Sequence, residues 1–144
     1  MSRSAIMDRI DALLGTVSDP TFTEVMRGEP LSIAGTPCVA FWVTSRDVDF
    51  KTLTGVTSLC NFTIRAYFRM QSSKDIREST ELDIWDAIVN IDSALRGDSN
   101  LSGNATDTDI GTARTGYTEI SGVAFRTVDI PYSVMLANEV TITP

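Results

Sequence analysis

The sequence contains no histidine. That absence excludes Ser-His-Asp triads, imidazole metal ligands and the usual general base near neutral pH. Cysteine is almost as scarce, with only Cys38 and Cys60 present. Two thiols without histidine cannot build an ordinary structural zinc site. Both fall on apolar strand faces, so they read as small, buried, reduced core residues rather than as a redox pair. The Gly-rich phosphate motifs GxxxxGK[ST] and GxGxxG are missing. No apolar run approaches the ~18 residues that a membrane span needs. The start, Met-Ser-Arg-Ser-Ala-Ile-Met-Asp, has no continuous apolar segment, so no secretory signal is expected and synthesis in a cytoplasm is. Lysine and arginine number 12 against 19 acidic residues, giving a net charge of −7. That balance argues against a general duplex-binding surface.

What is present is enough for one domain spanning residues 1–144, with 42% hydrophobic residues to supply a core. The clearest signal lies between Leu59 and Gly97. Cys60, Phe62, Ile64, Ala66, Phe68 and Met70 alternate with Asn61, Thr63, Arg65, Tyr67 and Arg69. A period of two over this length predicts a strand with one buried face, the polar face being wet or meeting another subunit. The period then changes. Ile84, Ala87, Ile88, Ile91, Ala94 and Leu95 recur at helical spacing, with Leu82, Trp85 and Val89 on the shoulder and Gly97 as the stop. Trp85 reads as a core residue beside the sheet.

Around this centre the other elements are predicted in turn. Residues 3–15 form a helix capped by Ser4, with a stripe of Ile6, Met7, Ile10, Leu13 and Leu14. Asp19-Pro20 marks a turn, and residues 21–26 a short strand with Phe22 and Met26 pointing inward. Residues 38–44 are apolar on both faces, as in a central strand. Residues 46–58 read as a long, exposed, mobile connection in a hairpin arm. Residues 98–111 form a second exposed loop, anchored by Leu101 and Ile110. Residues 112–120 and 123–136 are strands joined by a turn at Gly122. Val123 and Phe125 differ in parity from Val128, Ile130, Tyr132, Val134 and Leu136, which predicts a bulge near Thr127. Pro131 lacks an amide donor and favours an edge or bulge. Residues 139–144 either extend the last strand or are free. The sum is an α+β fold: a mainly antiparallel sheet of about five strands, two helices on one face, and long exposed loops.

Candidate chemistry is thin. The acidic residues Asp98, Asp107 and Asp109 lack the ordered ligand spacing of a calcium loop. Glu81, Asp83 and Asp86 lie on the polar side of a helix and read as a solvated face. No catalytic, metal or cofactor-binding residue is expected. Arg65, Tyr67 and Arg69 stand in a row on one strand face, each ~7 Å from the next. An Arg-Tyr-Arg row has the composition of a protein interface or of a strand that stacks nucleic-acid bases, the latter disfavoured by the net charge, and the plain alternative is an ordinary exposed sheet face. Arg46, Asp47, Asp49 and Lys51, on the polar connection, are the other interface candidates.

The order of elements resembles that of the tail terminator (tail completion) proteins of long-tailed bacteriophages. The resemblance rests on the N-terminal helix from Ile6 to Leu14 and the aromatic and Arg strand from Phe62 to Met70. It rests also on the helix opening Leu82-Asp83-Ile84-Trp85-Asp86-Ala87-Ile88, the loop Leu101-Ser102-Gly103-Asn104, and the closing Ile130-Pro131-Tyr132-Ser133-Val134. It covers nearly the whole chain. It implies a structural virion protein at the tail-to-head junction, made in the host cytoplasm, and not an enzyme. Such proteins form a homo-oligomeric ring, a hexamer, that caps the tail tube protein, stops its polymerisation and joins it to the head-tail connector protein. The ring needs no membrane and no specific nucleic acid, although DNA can pass through it. The alternatives are a neighbouring neck or tail-tube structural protein, or an unrelated small α+β binding module.

Overall fold

The computed structural model describes residues 3–51, 55–70 and 74–141. Helix α1 (Arg3–Gly15) buries Ile6, Ile10, Leu13 and Leu14 on one side. Ser4 lies inside this helix rather than at its cap. Strand β1 (Val25–Arg27) is shorter and later than the segment predicted, and pairs in parallel with residues 39–41. Strands β2 (Cys38–Lys51) and β3 (Gly55–Arg69) form a long antiparallel hairpin. Helix α2 (Lys74–Arg96) follows, and then β4 (Asp107–Ile110), β5 (Arg114–Ile120) and β6 (Val123–Thr141). The tail thus extends β6 as far as Thr141, and residues 142–144 lie outside the described residues.

The result is an α+β fold with a six-stranded, mostly antiparallel sheet in the order β1-β2-β3-β6-β4, with β5 also on β6. β4 and β5 share one edge of β6, end to end. Pro131 sits where that edge passes from β5 to β4, so its missing donor interrupts neither ladder. Ser121 and Gly122 both have positive φ, 52° and 79°, as a two-residue hairpin between β5 and β6 requires.

Both helices cover one face of the sheet. Ile10, Leu14, Ile84, Ala87, Ile91 and Leu95 meet Phe41, Phe62, Ile64, Phe68, Val128, Ile130 and Val134 there. A second apolar cluster lies on the opposite face. Cys38, Ala40, Tyr67 and Phe125 form it, with Met26, Ile33, Trp42 and Ile120 against them. The segment after β1 covers this cluster, and Ser121 Oγ donates to Leu31 O at 3.2 Å to hold that segment down.

The second cluster explains several departures from expectation. Phe125 differs in parity from Val128 because it faces the second cluster; the register of β6 against β3 is unbroken from Phe125 to Ala137, and there is no bulge at Thr127. Met26 faces the second cluster, while Val25 packs on the main core. Cys38 is buried in the second cluster, whereas Cys60 is half-buried on the helix side. The two thiols form no disulfide and face opposite sides of the sheet.

Two expected loops are largely strand. Residues 46–51 and 55–58 continue the hairpin, because β6 offers residues 136 and 137 as a third strand beside Ser58 and Thr57. Residues 107–110 form β4, which makes six strands rather than five. The rest of the second loop is pinned by buried Leu101 and by Asp98, whose carboxylate accepts from Ser102 N at 3.0 Å and Arg9 Nε at 2.6 Å. Hydrogen bonding from Ser102, then from Arg9, holds Asp98 below the usual carboxylate range.

Ile91 is fully buried and Asp86 exposed. Ile91→Ala is expected to cost about 2–5 kcal/mol in urea unfolding, and Asp86→Ala to stay within about 0.5 kcal/mol. Asp98 has a lowered folded pKa, so its stabilisation is full above the unfolded value and is lost as pH falls through the folded one. The gap in unfolding midpoint between the wild type and Asp98→Asn should therefore narrow between about pH 5 and pH 3. A gap that stays constant across that range would show that the Asp98 charge contributes nothing.

Candidate interaction surface

The outward face of β3 is an array of cross-strand hydrogen bonds. Thr63 on β3 and Thr44 on β2 share a hydroxyl hydrogen bond of 2.8 Å. Asn61 Nδ2 donates to Asp47 Oδ2 at 2.8 Å and to Ser45 Oγ at 3.0 Å. Its Oδ1 accepts from Ser133 Oγ on β6 at 2.7 Å. One amide therefore bridges three strands.

Arg65 lies directly across from Asp129 on β6. Its Nε and Nη2 donate to the two carboxylate oxygens at 2.6 and 2.9 Å, and its guanidinium lies 5.3 Å from the centre of the Trp42 ring. The Asp129 carboxylate pushes the Arg65 pKa further up. Tyr67, the middle of the expected row, is fully buried. Its ring meets Phe125 edge-on at 6.2 Å. Its hydroxyl has no hydrogen-bond partner among the described residues. Burial raises the Tyr67 pKa, against a weaker opposing pull from Arg65. Arg69 is exposed at the strand end, near Met70, Arg77 and Tyr117. The three side chains thus do not form one open row. Alternation alone puts them on one face, but the segment after β1 closes over the Tyr67 end of it.

Of the other candidates, Arg46 and Asp47 are exposed on β2. Asp49 and Lys51 belong to the same strand, and their side chains lie outside the described residues. Residues 43–48 of the β2 arm are exposed on both faces, whereas Val56 and Ser58 on the facing strand are buried.

Two surfaces escaped the sequence reading. On α2 the side chain expected in the core, Trp85, is 70% exposed. With Leu82 and Val89, also exposed, it forms a ridge on the side of α2 turned from the core. Glu78 and Glu81 border it. The signal was present as excess width: apolar positions on α2 span more than one buried stripe needs. Beside α2, Arg126 pairs with Glu81 at 3.1 and 3.2 Å and lies 5.0 Å from the ring centre of exposed Tyr117. The second surface is an apolar cavity of about 130 Å³ between α1 (Arg3, Ile6, Met7) and the sheet (Val43, Cys60, Phe62).

Burial pushes the Cys38 thiol up to about 11, which keeps it protonated and unreactive. Among the described residues no group of three His, Cys, Asp or Glu side chains could hold a metal ion, and no helix is long and apolar enough to cross a membrane. What the arrangement offers is surface: the exposed β2 arm of the hairpin, an apolar ridge and an apolar cavity. No protein-family model matches the sequence, and no curated protein does.

Tyr67→Phe removes a buried, unpartnered hydroxyl and should be neutral or stabilising by up to about 1 kcal/mol. Tyr67→Ala should cost about 3–5 kcal/mol, as large aromatic deletions in a core do. Thermal melts of the two variants decide between a core and an interface role. A Tyr67→Ala variant that melts with the wild type would return this ring to the surface.

Proposed function

We propose that this chain is a structural assembly protein of a phage tail-to-head junction. In this reading it forms a hexameric ring that caps the tail tube, stops its polymerisation and joins it to the head connector. It works by presenting surfaces and not by catalysis. The observation that carries the reading is the exposed β2 arm of the hairpin. Residues 43–48 are exposed on both faces, with Val48 55% exposed, yet the segment is held as strand by β3. A strand this long, left uncovered, exceeds what the core needs. Its ordering cost of roughly 1–2 kcal/mol per residue is offset by ladder pairing and by the Asn61 bridge, so the segment meets a partner already shaped. Arg46 and Asp47, with Asp49 and Lys51 on the same strand, would face the tube or the connector. The resemblance of the α2 opening and the closing strands to tail terminators supports the same reading.

The test is a phage lacking the gene, viewed by electron microscopy. Tails should be of uncontrolled length or unattached to heads, and the chain supplied in trans should restore joined particles of one tail length. Normal joined particles in the absence of the gene would end this reading.

A further inference from the structure

The basic residues of this acidic chain are unevenly placed. Lysine and arginine number 12 against 19 acidic residues, yet three arginines line one hollow of about 100 Å³. Arg77 and Thr80 line it from the first two turns of α2, Arg69 from the end of β3, and Tyr117 and Arg126 from the paired strands β5 and β6. Glu81 is the one carboxylate in its wall. That carboxylate is already taken by Arg126, whose Nε and Nη2 donate to it at 3.1 and 3.2 Å. Arg69 and Arg77 are exposed, and neither has an ion-pair partner among the described residues. The hollow therefore carries two uncompensated cations on a chain of net charge −7. Arg77 lies in the first turn of α2, where the helix dipole adds to the positive potential. Tyr117 is 69% exposed, with its ring centre 5.0 Å from the Arg126 guanidinium, so aromatic surface stands open beside the cations.

We propose that this hollow is a binding site for a single phosphate group, with Arg69 and Arg77 as its charge partners. Charge decides the ligand chemistry. A phosphate monoester carries about −1.5 to −2 at pH 7 and so balances both free guanidiniums, whereas a lone carboxylate would leave one of them over. Guanidinium N–H pairs also match pairs of phosphate oxygens in geometry. A long polyanion is disfavoured by the net negative charge of the chain. Free phosphate and a nucleoside monophosphate share this chemistry, and Tyr117 separates them, because an aromatic ring beside a phosphate site can stack a base. The site is independent of the ring reading above, and neither needs the other.

The test is calorimetric titration of the purified full chain at low ionic strength, with inorganic phosphate and with adenosine monophosphate as probes. Both should bind in the millimolar range or tighter, and chloride at the same ionic strength should not displace them as sulfate does. Arg69→Gln and Arg77→Gln should each weaken phosphate binding by about tenfold, as loss of a charge-assisted pair does. Both residues are exposed and outside any ion pair among the described residues, so both variants should keep the wild-type melting temperature. Glu81→Gln removes the carboxylate that competes for Arg126, and should tighten phosphate binding, an effect that mere loosening of the fold would not produce. Tyr117→Ala that weakens adenosine monophosphate alone identifies a nucleotide as the ligand. Tyr117→Ala that changes neither probe identifies free phosphate. No binding of either probe at millimolar concentration, or wild-type affinity in the Arg69→Gln/Arg77→Gln double variant, overturns the site.

Discussion

Strand β3 has a hydrogen-bonded neighbour on each edge from Thr57 to Tyr67, and the rest of the molecule follows from that double pairing. A slip of one residue would turn Phe62, Ile64, Ala66 and Phe68 away from the helices. A large apolar side chain loses roughly 1.5–3 kcal/mol on leaving the core. Several together rival a total stability of about 5–15 kcal/mol. The register is therefore fixed from the helix side. Once fixed, it sets Arg65 across from Asp129 and brings Tyr67 to Phe125 on the other face.

Parts of the molecule governed by a single period were legible in the sequence. α1 and α2 end where Gly15 and Gly97 predict, and the helix face of β3 is the predicted one. The departures on the strands share one cause. Alternation assigns a strand face as wet or buried along its whole length, whereas the cover over the sheet's second face changes along β2, β3 and β6. Tyr67 and Phe125 are buried on a face where Asn61 and Thr63 are not, because the chain between β1 and β2 folds back over one end only. Local spacing holds no record of such a non-local cover. The same limit hid β4: four residues reading Asp-Thr-Asp-Ile have little strand propensity, and only the free edge of β6 makes them a strand. Trp85 was misplaced for the opposite reason. Its spacing is helical and apolar, but it lies on the side of α2 turned away from the sheet.

Arg65 shows how composition can mislead about energetics. Arginine and tyrosine in a row suggest an anchor for a partner, yet this guanidinium already makes two hydrogen bonds to Asp129 and covers Trp42. Detaching it would leave a carboxylate without its cation on a partly shielded face. With 22% of the Arg65 side chain and 38% of the Asp129 side chain exposed, the pair is worth only about 1 kcal/mol or less to folding once solvent screening is counted. It acts instead on alignment, since a bidentate fork tolerates little sliding between β3 and β6. Arg126 does similar work between α2 and β6 through Glu81. That pair ties the outer side of α2 to β6 at one point.

The uncovered half of β2 raises the question of why it does not pair with any strand it meets. β1 reaches only residues 39–41, so from Trp42 onward the outer edge of β2 has no strand neighbour among the described residues. A long free edge is a template for indiscriminate sheet extension. Here it is broken twice, by register shifts between Val43 and Ser45 and between Val48 and Phe50. Irregularities of this kind bend the strand and spoil the even spacing of donors and acceptors that a docking strand would need. Arg46 and Asp47 add opposite charges on opposite faces between the two shifts. Edge-to-edge pairing is disfavoured at the place where the hairpin is most exposed. A contact made along this arm would then rest on side-chain surfaces, whose shape and charge discriminate between partners, and not on the main-chain ladder, which accepts almost any strand.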